Sequence, residues 1–296
     1  MSTPAGGVPS QTSPRPLPAQ RRRRASPVAV AQWLALAIIC LVNLIPIVLT
    51  LLASFKSNQD FFYNTYNLPK VWHFSNYADA WNNASMGQFF LNSVVITAGA
   101  VLINLLASLP LAYALARYRF RLNGPLYVFL VGGLIAPQQL IGISLLQWVK
   151  TLHIFDTYLS LILPYAAFGM PLAVLVLTGF FRQLPRDLED AALIDGAGEI
   201  AAFLLIMVPL VRPAIATVVI FNGIGIWNDF FLPLVLAYSP GIQTLPLGII
   251  NLFGAYSSQW GTIFAAVTIA SGPAILAYFF LTKQFISGLS AGAVKG

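Results

Sequence analysis

Charge, cysteine and histidine are scarce in this sequence, and each scarcity excludes a class of function. Only 8% of the 296 residues are charged, with nine acids, one cysteine and two histidines. The single Cys40 excludes a disulfide framework, and His73 and His153 each lack a second metal ligand nearby. A Walker-type phosphate loop, a Ser-His-Asp set and paired carboxylates are also missing. The sequence predicts a chain that is not an enzyme and that binds no metal or cofactor itself.

Long apolar runs make up most of the chain. Hydrophobic residues account for 58% of it and the mean hydropathy is +0.77, far above the values of soluble globular proteins. A helix needs about 20 apolar residues to cross the hydrocarbon core of a bilayer. The runs of that length are 27–54, 89–116, 125–149, 158–181, 206–236 and 261–281. They predict an all-α, polytopic integral membrane protein with six transmembrane helices in one domain, residues 28–296.

Basic residues indicate the orientation of these spans, because Lys and Arg are retained on the cytoplasmic side of a membrane. With the N-terminus inside, 13 basic residues lie inside and three lie outside, namely Lys56, Lys70 and Lys150. The inner set is Arg15, Arg21 to Arg24, Arg117, Arg119, Arg121, Arg182, Arg186, Arg212, Lys283 and Lys295. Both termini are therefore predicted to be cytoplasmic. The net charge of +7 follows from topology and from contacts with membrane lipid, so no nucleic-acid partner is predicted.

The first 27 residues are predicted to form a disordered, basic cytoplasmic tail. Residues 1–20 are rich in Pro, Ser, Thr, Gly and Gln, and they contain too few apolar residues to offset the entropy of ordering. The run Arg21 to Arg24 is similar to the start of a secretory or twin-arginine signal. The apolar stretch after it is too long for a signal peptide and lacks a convincing cleavage site, so we interpret it as a retained first helix.

The loop between the fourth and fifth runs is unusually acidic. Four of the nine acids lie in residues 185–195: Asp187, Glu189, Asp190 and Asp195. Pro185 suits the first turn of a helix, whose dipole favours the acids that follow. This predicts a short helix over 185–194, then a turn at Gly196 and Gly198 and a second helix that begins at Glu199. The narrow face of the first helix comprises Leu188, Ala191, Ala192 and Asp195.

The spacing within this loop resembles a known motif. Its residues, in order, are Asp190, Ala191, Ala192, Gly196, Ile206, Val208 and Pro209. The pattern resembles the EAA loop of binding-protein-dependent ABC importers, which reads Glu-Ala-Ala, three residues, Gly, nine residues, then Ile-x-Leu-Pro. Asp190 stands in place of the Glu and Val208 in place of the Leu.

Further features are similar to the maltose-type sugar permeases, specifically the MalG-like subunit, over residues 30–296. They are Asn92-Ser93, Ala112-Tyr113-Ala114 before Arg117, Trp227-Asn228 before Pro233-Leu234, and the final Gly292 to Gly296. The resemblance implies a permease subunit in the inner membrane of a bacterium or archaeon. Its substrate would be a mono- or oligosaccharide, or a related polyol or glycerol phosphate.

The resemblance also implies a set of partners. They are a second permease subunit that completes a heterodimer, two ATP-binding subunits that hold ATP and Mg, and an extracytoplasmic solute-binding protein. The loop 182–205 would contain a coupling helix that lies in a cleft of an ATP-binding subunit. The residues implied in that contact are Glu189, Asp190, Ala191, Ala192, Asp195 and Gly196.

Polar residues within the apolar runs are candidates for the substrate pathway, because they are costly in a membrane and tend to face a cavity. The chosen set is Trp227, Asn228, Asp229, Phe230, Gln138 and Asn222. Amides, a carboxylate and aromatic rings are the groups that bind sugars. Hydrogen bonds between helices explain each Asn equally well, and Asp229 could be purely structural.

Two alternatives stay open at this stage. An ion-gradient-driven secondary transporter would need an ionisable group within the membrane, for which Asp229 is the clear acid candidate. The aromatic outer segment, residues 55–88, is either a set of interfacial anchors or a docking surface for an extracellular partner.

Overall fold

The computed structural model describes residues 27–255 and 259–293, and all regular structure in these ranges is helical. This confirms the predicted all-α class. The chain divides into two compact units between Ile47 and Val48, each of which is described by itself. The predicted disordered tail lies outside the described residues apart from Pro27, with which the first helix begins.

The first helix, α1, spans Pro27–Ala53 and contains the boundary between the units. The others are α2 (Asn58–Tyr63), α3 (Ser75–Ala78), α4 (Met86–Arg117), α5 (Asn123–Gly132), α6 (Gly142–Thr151), α7 (Tyr158–Gln183), α8 (Asp187–Ile194), α9 (Glu199–Ala202), α10 (Val208–Leu210), α11 (Arg212–Asn228), α12 (Phe231–Leu236), α13 (Leu245–Ala255) and α14 (Trp260–Ala293). Short 3₁₀ helices lie at Gly133–Ile135, Gln138–Ile141 and Pro240–Ile242, and π-helical turns lie at Asp79–Asn83 and Phe203–Met207.

Three helices in the described part of the chain are long and apolar enough to cross a membrane unbroken: Ala31–Ala53, Met86–Arg117 and Tyr158–Gln183. Two bent pairs could each form one further span, which brings the total to five. They are Asn123–Ile135 with Gln138–Thr151, bent by 93°, and Glu199–Leu210 with Arg212–Asn228, bent by 71°. The predicted sixth span, 261–281, lies within α14, of which residues Trp260–Leu276 are described in full and form an apolar helix of fewer than 18 residues. The count of six therefore stays a prediction.

The break in the predicted span 125–149 has a cause in the sequence. Pro137 has no backbone N–H and disfavours the helical conformation of the residue before it. Ala136 accordingly has an extended backbone with φ −74° and ψ 116°, and Pro137 has φ −71° and ψ 123°. One apolar run thus becomes two short helices, and Gln138 lies directly after the bend.

Helices α4, α7 and α11 pack together and position the residues discussed below, with α4 and α7 in the most extensive contact. One apolar core includes Ile96 of α4 and Leu161 of α7, together with residues of α12. A second core includes Ala112 of α4 and Phe181 of α7, with Val211 at the bend before α11. Each end of the α4–α7 pair therefore has its own apolar core.

The segment before α4 is folded rather than loosely connected. Lys56 is fully buried, and its Nζ donates to the carbonyl oxygens of Asn64 at 2.5 Å and Thr65 at 3.0 Å. Phe61 stacks on Trp260 of α14 with ring centroids 5.6 Å apart. Some aromatic side chains of this segment pack internally and others are exposed, so the anchor and docking interpretations both stay open.

Candidate functional site

Helix α8 lies where the sequence predicts a helix over 185–194. Its first turn contains three acids: Asp187, Glu189 and Asp190. They lie at the end of the helix dipole that favours negative charge. The chain leaves the helix through Gly196, whose φ of +84° belongs to the left-handed region, which glycine adopts without steric cost. Its N–H donates to the carbonyl of Leu193 at 3.1 Å, so the motif glycine ends the helix.

The two neighbouring acids Glu189 and Asp190 differ in their surroundings. Glu189 pairs with Arg117, the last residue of α4, through Oε1 and Nε at 2.6 Å. The two side chains are only 16% and 7% exposed. Arg117 also donates from an Nη atom to the carbonyl of Leu184, 3.0 Å away. Glu189, predicted to contact an ATP-binding subunit, therefore uses its carboxylate within the chain, whereas Asp190 is exposed.

The other predicted contact residues divide in the same way. Ala192 is buried, where α8 packs against α9 and the π-helical turn. The exposed members are Ala191, Asp195 and Gly196. Leu193 and Ile194 are also exposed, and Ile194 is 84% accessible. The outer face of α8 therefore presents the carboxylates of Asp190 and Asp195 beside apolar and small side chains.

The connection that follows α8 is also fixed by side-chain contacts. Phe203, in the π-helical turn, packs against Tyr113 with ring centroids 4.8 Å apart. The hydroxyl of Tyr118 donates to Glu199 at 3.2 Å. Partial burial and this hydrogen bond raise the pKa of Tyr118, so the phenol stays protonated and remains a donor at neutral pH. A cleft of about 160 Å³ is lined by Tyr113, Tyr118 and Glu199 together with Arg186 and Asp190.

A larger cavity, of about 400 Å³, lies between α7, α11 and the start of the Gln138–Ile141 helix. Its lining residues are Gln138, Tyr165, Phe168, Gly169, Phe221, Asn222, Gly225, Ile226, Asn228 and Asp229. Four predicted pathway residues are thus brought together: Gln138, Asn222, Asn228 and Asp229. Amide groups that face aromatic rings can hydrogen-bond a polyhydroxylated molecule and stack on its apolar faces.

Trp227 and Phe230 are not among the lining residues of this cavity. Trp227 lines a different cleft, and its Nε1 donates to the carbonyl of Ala270 on α14 at 3.0 Å. Successive residues of an α-helix point about 100° apart, and here Trp227 is directed to α14 while Asn228 lines the cavity. Of these two neighbours in the sequence, only Asn228 lines the cavity.

Asp229 accepts three hydrogen bonds from its own chain. It accepts from the hydroxyl of Tyr165 at 2.8 Å and from the N–H groups of Phe231 at 3.1 Å and Leu232 at 3.2 Å. The carboxylate therefore caps the start of α12 and connects it to α7. These contacts agree with the structural interpretation of Asp229.

A polar junction beside the cavity joins α4, α7 and α11. Asn104 is buried and donates to the carbonyl of Ala166 at 2.8 Å, while Asn222 donates to Asn104 at 3.3 Å. Gly169 makes the approach possible, because a Cβ atom there would lie 2.7 Å from Nδ2 of Asn222. Tyr165, Phe168 and Gly169 are lining residues that were not predicted. They lie in an apolar run with no sequence signal that sets them apart.

Polar side chains also hold a loop at the other end of α4. Asn92 donates to the carbonyl of Gly241 at 3.0 Å. Asp156 accepts from the N–H groups of Tyr238 at 2.8 Å and Ser239 at 2.9 Å, and from the Ser239 hydroxyl. Burial acts in the opposite direction, but these hydrogen bonds hold the pKa of Asp156 below its usual range. This loop lies about 37 Å from Arg117 along α4, at 1.5 Å per residue.

Within the described residues, no three His, Cys, Asp or Glu side chains lie close enough together to hold a metal ion. The features that remain for function are the exposed face of α8 and the polar cavity.

Comparison with known protein families matches residues 108–290 to the family described as "Binding-protein-dependent transport system inner membrane component". Similar proteins include the diacetylchitobiose uptake system permease protein NgcG of Streptomyces coelicolor. It is 35% identical over 254 residues, which cover 85% of this chain and 84% of the relative. The arabinooligosaccharides transport system permease protein AraQ of Bacillus subtilis is 34% identical over 275 residues, covering 90% and 96%.

The melibiose/raffinose/stachyose import permease protein MelC of Bacillus subtilis is 33% identical over 261 residues, covering 88% of this chain and 94% of the relative. Among solved structures, a bacterial ABC transporter involved in the import of alginate superposes with a TM-score of 0.75 at 22% identity, covering 87% of this chain and 96% of that one. At that level of identity the likeness shows the fold alone.

Proposed function

The chain belongs to the family of inner membrane components of binding-protein-dependent transport systems, and on this premise we propose that it is one of two permease subunits of an ATP-driven sugar importer. The observation that carries the proposal is the outer face of α8, where Asp190 and Ile194 are exposed while Glu189 and Ala192 are held inside. A helix fixed from behind, with a free carboxylate and free apolar groups in front, is suited to lie in a cleft of another protein.

The proposed substrate is a neutral oligosaccharide. The relatives named above are described as permeases for diacetylchitobiose, arabinooligosaccharides and melibiose/raffinose/stachyose. The cavity supports this choice because the described residues that line it include amides and aromatic rings but no Lys or Arg. Its one carboxylate, Asp229, is already hydrogen-bonded. A glycerol phosphate would need a compensating cation there, and the lining supplies none.

We assign the contact with the ATP-binding subunit to Asp190, Ala191, Asp195 and Gly196, together with the apolar side chains of Leu193 and Ile194. Asp190 can pair with a basic residue of that subunit, and Ala191 and Gly196 permit close approach. ATP and Mg belong to the two ATP-binding subunits. The second permease subunit completes the cavity as a heterodimer, and both termini of this chain face the cytoplasm.

The end of α4 at Asn92 is the proposed outer side, where a solute-binding protein would deliver the sugar. A further solved structure of similar fold, with a TM-score of 0.63 at 14% identity, is a bacterial alginate ABC transporter in complex with an alginate pentasaccharide-bound periplasmic protein. That complex belongs to the neighbour, and it supports the same arrangement here.

In the proposed cycle, ATP binding brings the two ATP-binding subunits together and moves α8, which opens the cavity toward the outer side. Hydrolysis returns α8 and opens the cavity inward. This chain conducts the sugar and couples its passage to ATP, and no chemical step takes place on its own residues.

The test is to purify the tagged chain from its native host in mild detergent and to identify the bound proteins by mass spectrometry. Recovery of an ATP-binding subunit and a second permease supports the importer. Recovery of the chain alone, active in uptake driven by an ion gradient, contradicts it and favours a secondary transporter. Uptake of labelled oligosaccharides by cells with and without the chain then identifies the substrate.

A further inference from the structure

We propose that the Arg117–Glu189 ion pair is a positioning device that transmits movement of α8 directly to α4, in addition to the covalent connection from α8 through α9 to α11. The inference rests on the proposed function, because it assigns these two residues to the coupling step of the importer. It concerns the inner side of α8, where the chain meets itself, and not the outer face.

The geometry of the pair connects three elements at one point. Arg117 is the last residue of α4, Glu189 lies in the first turn of α8, and their charged atoms are 2.6 Å apart. The same guanidinium donates to Leu184, the residue that follows α7. Both side chains are largely buried, so loss of one partner would leave the other charge uncompensated in a poorly solvated place. This favours movement of the three elements as one body.

The covalent route from α8 to α11 is less direct. It passes through Gly196 and Gly198, then through the π-helical turn Phe203–Met207, and then through a bend of 71° before α11. Each of these features permits a change of backbone direction. A displacement of α8 can therefore be absorbed along the backbone of this route. The side-chain contacts of the same segment, Glu199 with Tyr118 and Phe203 with Tyr113, also lead to the end of α4.

The route through Arg117 stays within one continuous helix, in which Pro110 is the one residue that lacks a backbone N–H. Asn104 lies 13 residues before Arg117 on the continuous helix α4, about 20 Å away at 1.5 Å per residue. It is hydrogen-bonded to Asn222, which lines the cavity. A shift of the Arg117 end of α4 is thus passed to the cavity by a helix and one hydrogen bond between helices.

The adjacent acids then have separate tasks. Successive residues of a helix point about 100° apart, and Glu189 faces α4 while Asp190 faces outward. Other charged groups border the same cleft, but Glu199 is engaged by Tyr118 at 3.2 Å. Neutralising Glu189 should therefore uncouple the importer without releasing the ATP-binding subunit, whereas changing Asp190 should weaken that contact.

The test uses the complete importer, reconstituted in liposomes with its partner permease, ATP-binding subunits and solute-binding protein. Glu189→Gln and Arg117→Met are compared with matched controls in the same region, Asp187→Asn and Arg119→Met, whose side chains are exposed. Three quantities are measured: retention of the ATP-binding subunits, thermal stability, and sugar imported per ATP hydrolysed. We expect full retention and a loss of about tenfold or more in sugar per ATP for both variants, with the controls near wild type. The exchange of the two residues, Arg117→Glu with Glu189→Arg, should restore much of the coupling.

Several results would overturn the inference. Release of the ATP-binding subunits by Glu189→Gln but not by Arg117→Met would make Glu189 a direct contact. Lower thermal stability with unchanged sugar per ATP would make the pair purely structural. A wild-type ratio of sugar imported per ATP hydrolysed in both variants would also exclude a role of the pair in coupling. If the wild-type chain itself retains no ATP-binding subunit, the proposed function fails. If the wild-type chain retains the subunit and only the variants behave unexpectedly, the inference about the ion pair fails alone.

Discussion

The outer face of α8 and the cavity each present an acid that the sequence marks for a role in transport, but the chain uses the two carboxylates differently. Asp229 accepts three hydrogen bonds from its own chain. Asp190 is exposed and contributes to a cleft at the surface. A charge placed within a membrane must be satisfied by protein, whereas water satisfies a charge on a surface loop. The exposed carboxylate of Asp190 is therefore available to a partner, whereas the hydrogen bonds of Asp229 give that residue a structural role.

The largest effect is expected from reversing the free charge. Asp190→Lys should reduce sugar uptake by about 100-fold or more, because a repelling charge would replace the exposed carboxylate in the proposed contact. The chain should remain inserted and folded, since the side chain points outward. Uptake and co-purification of the ATP-binding subunit measure this. Normal uptake by the variant would refute the assignment of α8.

Neutralising Asp229 should lower the stability of the chain instead. Asp229→Asn weakens hydrogen bonds to a charged acceptor, each of which contributes about 1.5 to 3 kcal/mol. Tyr165→Phe, which removes one donor, should cost less. Thermal unfolding in detergent gives the order of the two variants. Uptake by the wild type and by Asp229→Asn is also measured with ionophores. If ionophores abolish wild-type uptake but do not affect uptake by Asp229→Asn, Asp229 carries a coupling ion and the structural interpretation is wrong.

The junction beside the cavity should be sensitive to a single methyl group. Gly169→Ala places a Cβ atom 2.7 Å from Nδ2 of Asn222, and Asn222 can move away only by giving up its hydrogen bonds. We expect a destabilisation of about 1 to 3 kcal/mol. Gly179→Ala, on the same helix and with nothing within 4 Å of the new atom, should be neutral or slightly stabilising. Equal melting temperatures for the two variants would contradict the junction.

The turn after α8 offers a matched pair of glycines. Gly196 has a φ of +84°, and Gly198 has a φ of −72°. Gly196→Ala should cost about 1 to 2 kcal/mol because alanine is strained in the left-handed region. Gly198→Ala should be tolerated. Protease sensitivity of the loop and the melting temperature would show the difference, and an unaffected Gly196→Ala variant would argue against the observed end of α8.

The smallest effect is expected for removal of the Gln138 side chain from the cavity. Gln138 lines the cavity and the neighbouring Gln139 does not. Gln138→Ala should raise the apparent KM for sugar by about 5- to 10-fold, equivalent to one lost hydrogen bond. Gln139→Ala should leave it unchanged. Uptake kinetics over a range of sugar concentrations test the pair, and equal effects would exclude this cavity as the route.

The sequence located several elements well. The apolar runs predicted α1, α4 and α7 within a few residues, because each has enough uninterrupted apolar length to read as one helix. The helix over 185–194 was predicted from a proline followed by acids. Runs that contain internal breaks were harder, because Pro137 divides one of them at a 93° bend while Pro110 lies within the continuous helix α4. The local effect of a proline depends on what packs around it.

Candidate residues for the cavity were only partly predictable. Gln138, Asn222, Asn228 and Asp229 stand out as polar residues in apolar surroundings. Tyr165 and Gly169 do not, because an aromatic ring or a glycine in an apolar run is ordinary packing until the neighbouring helices are known. The ion pair of Glu189 with Arg117 was not predictable either, since Arg117 lies 72 residues earlier in the sequence.

By itself the sequence determined the membrane class, the apolar helices, the acidic helix and its motif, because each depends on local composition and spacing. The tertiary structure alone decided which polar groups are available. Glu189 is largely buried and Asp190 is exposed, Asp229 accepts three hydrogen bonds, and Trp227 lies on another face of α11 from Asn228. Those outcomes depend on which helices meet and at what rotation, since only the packing fixes which donor lies opposite which acceptor.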